Sequence, residues 1–195
     1  MVAVLDGYPE EYKGYLIRTD YRIGMQICMC LADNELNKEE RIITALMLLF
    51  GNGIPPIEIA MEGMNWFING GKEPVKRPGI ISEQESEQEA EEKSEDYFDF
   101  EVDADRIMTA FLHRYNVDLV RENLHWFKFL AMLADVGQCA FTDVVGIRKK
   151  SITSNMSPEY RATLSELKKQ YSLTKYTEEE REKLESFFAE LVENS

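Results

Sequence analysis

The stretch NKEERIITALMLLFG, residues 37–51, decides the fold class. Asn37 and Glu40 stand at the spacing of a capping box, in which each side chain satisfies an otherwise exposed backbone amide at a helix start. Ile42, Ile43, Leu46, Met47, Leu49 and Phe50 follow at helical intervals as one broad apolar face, and Gly51 ends the run. The same period extends outward on both sides. Ile23, Ile27 and Leu31 recur at fours and predict a helix over about 20–33. Behind Ile54-Pro55-Pro56, where proline costs little in a first turn, Ile57, Ala60, Met61, Met64 and Phe67 predict another that Gly70-Gly71 close.

Further along, Ile107, Ala110, Phe111 and Leu112 predict a helix over about 103–115, with Asn116 as a left-handed cap. Leu124, Trp126, Phe127, Phe129, Leu130 and Leu133 predict the most aromatic helix, over about 120–135, and a shorter one follows at about 141–147. Ser157-Pro158-Glu159 starts a helix with Tyr160, Leu164, Leu167 and Tyr171 on one face. A second capping box, Thr177 and Glu180, precedes the amphipathic stripe Leu184, Phe187, Phe188, Leu191 and Val192. The expected fold is mostly α, a compact multi-helix domain.

Two segments depart from the helical period. Lys13-Gly14 between two short extended runs predicts a small N-terminal β-hairpin. Residues 82–105 hold twelve acidic side chains and one Lys, which leaves the rest of the chain close to neutral. Residues 80–96, rich in Ser, Glu and Gln, have too little apolar area to offset the entropy of ordering, so they read as an acidic flexible loop, with a frayed helix as the alternative. The expected organisation is one domain over 1–195, with an N-terminal helical half at 1–79 and a C-terminal half at 97–195.

The chain has 195 residues, enough to bury roughly 70% of the unfolded surface in a single core. Its net charge of -14 argues against nucleic acid as a partner, because binding a phosphate backbone requires basic side chains that displace counterions. Three cysteines, Cys28, Cys30 and Cys139, form no framework and fit reduced thiols in a cytosolic compartment. The N-terminus lacks the basic flank of a signal peptide, and no run approaches the roughly 20 apolar residues of a membrane span.

Catalytic and metal templates fail one by one. The run Asp99, Glu101, Asp103, Asp105 has the alternation of a calcium loop, but its sixth and twelfth positions are Ala104 and Ala110 rather than Gly and Glu. Acidic residues favoured at a helix N-terminus are the better reading. His113 and His125 have no Cys or Glu at ligand spacing, so no zinc site is expected, and His125 reads as a structural histidine bonded to a backbone carbonyl within the aromatic helix. The glycines at 51–53 and 70–71 follow helices instead of preceding them, the wrong polarity for a phosphate loop. No serine elbow occurs, and Arg148-Lys149-Lys150 reads as a solvated helix end. No enzyme, cofactor or metal is expected.

Residue strings add what chemistry does not. Thr19-Asp20-Tyr21-Arg22-Ile23, Asn65-Trp66-Phe67 with Gly70-Gly71-Lys72, and the Tyr97 to Asp105 run are three of them. Ala110-Phe111, the run Tyr115 to Leu119, the run Leu124-His125-Trp126-Phe127-Lys128-Phe129 and Gly146-Ile147-Arg148 complete the set. Their order and spacing over residues 10–173 resemble the bacteriophage "gene product fifteen" family, found in tail gene clusters of long-tailed phages and prophages of Gram-positive bacteria. Relatives often carry a second Trp after His-Trp, where this chain has Phe127.

The resemblance implies a non-enzymatic morphogenesis factor, a tail assembly chaperone that binds the tape-measure protein, with a structural virion component as the alternative. Expected partners are phage tail proteins, and a homo-oligomer is a further assembly. Neither nucleic acid nor membrane is among them. The expected location is the cytoplasm of the bacterial host, with the protein absent from the mature virion. Met25, Met29, Met61 and Met64 recur at helical spacings and are the candidate protein-binding residues. Thioether side chains adapt to varied helical clients, although an ordinary core uses them too.

Overall fold

The computed structural model describes residues 3–72 and 97–173. The acidic spacer at 80–96 and the last amphipathic stripe, with its Thr177 and Glu180 capping box, lie outside the described residues. The chain divides into two compact units, residues 1–141 and 142–195. The division therefore falls near residue 141, away from the acidic spacer.

The first unit opens with α1 (Ala3–Asp6) and the hairpin β1 (Glu11–Tyr12) and β2 (Tyr15–Leu16). The strands are antiparallel, with Glu11 opposite Leu16 and Tyr12 opposite Tyr15. Lys13 and Gly14 both take positive φ, 49° and 82°, the backbone twist a two-residue hairpin turn demands. Then come α2 (Tyr21–Ala32), α3 (Lys38–Phe50), α4 (Ile57–Ile68), α5 (Ala104–Tyr115) and α6 (Trp126–Ala134), with α7 (Ala140–Lys149) beginning at the unit's end. Helix α2 packs on α3, α4 and α6, while α5 packs on α6. Helices from both sides of the acidic spacer thus share one core.

Local chemistry sets these elements. The capping box holds: Asn37 Oδ1 accepts from the Glu40 amide at 2.9 Å, and Glu40 Oε2 accepts from the Asn37 amide at 3.0 Å. Asn116 closes α5 at φ 53° and ψ 36°, its amide donating to the Leu112 carbonyl at 3.0 Å. The core is aromatic. Phe129 stacks on Trp126, Phe111 and Tyr21 at centroid distances of 5.5, 5.1 and 5.0 Å. Such offset pairs contribute beyond the area they bury.

Helix α6 is shorter than its sequence predicts, starting at Trp126 and not near 120. Asp118 forms a turn there, accepting the Val120 amide on Oδ1 and the Arg121 and Glu122 amides on its carbonyl. The carbonyls of Leu119, Val120 and Glu122 turn to the Arg22 guanidinium, at 2.9–3.2 Å, so none is left for a helical ladder. The acidic run also differs from its macrodipole reading. Asp99 Oδ1 caps the Glu101 and Val102 amides, each at 2.8 Å, and Asp103 is fully buried, paired with Arg106 at 2.9 Å.

In the second unit, α8 (Pro158–Gln170) starts under Ser157, whose hydroxyl accepts the Tyr160 amide at 3.2 Å. Val144 and Leu164 are its buried apolar side chains among the described residues. Arg148 is not merely solvated: its Nε donates to the Tyr171 carbonyl at 2.6 Å, and Lys168 donates to the Arg148 carbonyl.

Candidate functional site

Within the first unit, strings that carry the resemblance meet on α6. Asp20 and His125 form an antiparallel bridge, in which the Trp126 amide donates to the Thr19 carbonyl at 2.7 Å and the Tyr21 amide to the Leu124 carbonyl at 2.9 Å. Asp20 caps α2 by accepting the Arg22 amide at 2.9 Å, and the Tyr21 hydroxyl donates to the Leu119 carbonyl. Burial pushes the Tyr21 phenol above its ordinary value. Gly24 lies so close to Trp126 that a Cβ there would stand 2.2 Å from the indole. Phe67 and Phe100 complete the indole's surroundings, at 6.2 and 6.1 Å. Trp126 is the core residue its setting suggests, and its Nε1 has no hydrogen-bond partner among the described residues.

His125 is the first turn's cap, and not a residue within the helix. Its Nδ1 accepts the Phe127 amide at 3.0 Å, so the ring proton sits on Nε2 and is donated to the Pro9 carbonyl, also at 3.0 Å. The carbonyl bond matches expectation. Tyr8 stacks on the imidazole at 4.9 Å, and Phe127 meets it edge-on at 4.8 Å. Burial lowers the imidazole's pKa, against the Pro9 bond that raises it. Trp66 extends the aromatic series from Phe127 to Tyr12 at 5.1 and 5.0 Å. These side chains tie the N-terminal segment, α2, α4 and α6 together. Their chemistry is architectural: both His125 ring nitrogens and the Tyr21 hydroxyl are bonded to backbone groups.

The candidate methionines separate. Met64 is 3% exposed and belongs to the core, so it lines no surface as the structure stands. Its neighbours at helical spacing, Ala60 and Phe67, are equally buried, which is why periodicity alone did not distinguish it. Met25 and Met61 are half-buried, and Met29 is 40% exposed. Met29 borders a cleft of about 460 Å³ with Asp33, Glu35, Asp99 and Glu101. Of the exposed apolar side chains elsewhere, two share α3. Ile43 and Met47 are 56% and 53% exposed, one turn apart on α3. The apolar face of α3 is wider than the core it covers, and its width in sequence was the available signal.

Among the described residues, no group of three or more His, Cys, Asp or Glu side chains is arranged to hold a metal ion, and no helix is long and apolar enough to cross a membrane. A second cleft, of about 480 Å³, lies between α5 and residues 136–140 and is bordered by Arg106, His113 and Arg114.

No curated protein and no solved structure matches the chain. The family described as "Bacteriophage Gp15 protein" matches residues 6–173, nearly the span over which the residue strings carry their resemblance. The chain belongs to the bacteriophage Gp15 family.

Proposed function

We propose that this bacteriophage protein is a non-enzymatic morphogenesis factor, a tail assembly chaperone whose client is the tape-measure protein. The observation that carries the reading is the division of apolar side chains between two settings. The core is aromatic and closed, while Met29, Ile43 and Met47 stand exposed on α2 and α3. The two methionines, unbranched and flexible, suit a helical client presented in more than one register, and Ile43 adds exposed apolar area. A net charge of -14 keeps such a factor dispersed while its client exposes apolar surface. Action in the host cytoplasm and departure before the virion is complete belong to the same reading.

Co-expression tests it. The tape-measure protein should stay soluble with this chain and precipitate without it, and the two should co-purify. Mass spectrometry of purified virions separates the competing class: abundant peptides of this chain in finished particles would identify a structural component and overturn the chaperone reading.

A further inference from the structure

The described lining of the cleft between α5 and residues 136–140 includes two arginines and a histidine, in a protein whose net charge is -14. Arg106, Thr109, Ala110, His113 and Arg114 fall at helical spacing along α5 and face it, and among the described residues no carboxylate lines it. Its floor is apolar: Ala110 and Val136 are buried. Its rim is cationic. Arg106 is fixed in place by the fully buried Asp103 carboxylate at 2.9 Å. Arg114 and His113 have no hydrogen-bond or ion-pair partner among the described residues, and both are exposed. By contrast, Arg22 holds three carbonyls and Arg148 holds the Tyr171 carbonyl.

We propose that this cleft binds an acidic peptide segment, taking the carboxylate of a Glu side chain between Arg114, Arg106 and His113. The planar guanidinium fork matches a carboxylate in two-point geometry, and such charge-assisted bonds are the strong ones. An aliphatic stem would lie against Ala110 and Val136, which offer nothing to an inorganic anion. A long polyanion is disfavoured because the chain's charge of -14 repels it at range, whereas a short segment meets only the local cationic rim. The site is separate from the proposed client surface, since Met29, Ile43 and Met47 lie on α2 and α3.

The test uses the full chain and calorimetric titration with a capped peptide, acetyl-Leu-Glu-Leu-Glu-amide, beside its Gln counterpart and inorganic phosphate at equal ionic strength. Arg114→Ala is the informative variant, because its side chain is exposed. Arg106→Ala would remove the ion pair of the buried Asp103 carboxylate, and so confound folding with binding. Saturable binding of the Glu peptide, weakened about tenfold or more by Arg114→Ala at an unchanged thermal midpoint, supports the site. His113→Ala should weaken it less. Absence of saturable binding, equal binding of the Gln peptide, full binding by the Arg114→Ala protein, or tighter binding of phosphate than of the Glu peptide would each overturn it.

Discussion

The two ends of α2 are made of opposite materials. At its N-terminal end Asp20 caps the first turn, Arg22 gathers three carbonyls from the turn at 119–122, and Gly24 admits the Trp126 ring. The packing there is tight, with Gly24 against the Trp126 ring leaving no room for an added Cβ. At the C-terminal end Met29 stands 40% exposed beside four carboxylates, and Cys30, its thiol pushed up by burial, donates only a long contact of 3.6 Å to the Arg41 carbonyl. The strings Thr19–Ile23 and Leu124–Phe129 fall on the first end, and Met29 lies in none of the strings.

The contrast can be broken most severely at Trp126. Trp126→Ala should lose about 3–5 kcal/mol of stability in urea unfolding, through lost transfer energy and the cavity left behind. An unchanged midpoint would mean that the first end is not rigid. Trp126→Phe should cost less, because it keeps an aromatic ring and removes an N–H that has no acceptor. Gly24→Ala should cost about 1–3 kcal/mol by overpacking, and Trp126→Leu in the same chain should recover part of it. Strict additivity of the two changes would show that the helices do not meet as described.

His125 gives a smaller and pH-dependent effect. Its folded pKa lies below the ordinary value of 6.5, so the folded state favours the neutral ring. The stabilisation is therefore full above that value and is lost as pH falls through the folded pKa. Protonation converts Nδ1 from an acceptor to a donor facing the Phe127 amide, which removes the cap. His125→Asn keeps a capping oxygen, so it should flatten the stability loss below about pH 6.5 while costing about 1 kcal/mol or less at pH 7.5. Thermal melts across that range read both. At the other end of α2, Met29→Glu should change stability by no more than about 0.5 kcal/mol, since an exposed side chain loses little.

Much of this was legible in the residues. The capping box at Asn37 and Glu40, the hairpin turn at Lys13-Gly14, the left-handed Asn116 and the buried Trp126 follow from local chemistry and period. The start of α6 did not, because it is set by Arg22, an arginine about a hundred positions away that claims the carbonyls before it. Leu124 belongs to the apolar pattern yet serves in an extended bridge to Tyr21. Asp103 reads as one more acidic residue until burial and Arg106 distinguish it. The methionines show the same limit from the surface side. Period alone puts Met61 and Met64 on one stripe, and only the packing of α4 separates the half-buried residue from the buried one. Ile43 and Met47 look like core in sequence because α3 is apolar over more than one face.

On the proposed reading, fold and client binding reside in different side chains. The measurement that reaches it is a pull-down of the tape-measure protein by the triple variant Met29→Glu, Ile43→Glu, Met47→Glu, with helical circular dichroism and thermal midpoint recorded on the same preparation. The account predicts a wild-type spectrum, a midpoint within a few degrees, and loss of the client. A triple variant that is folded and still retains the client at the wild-type level would contradict it.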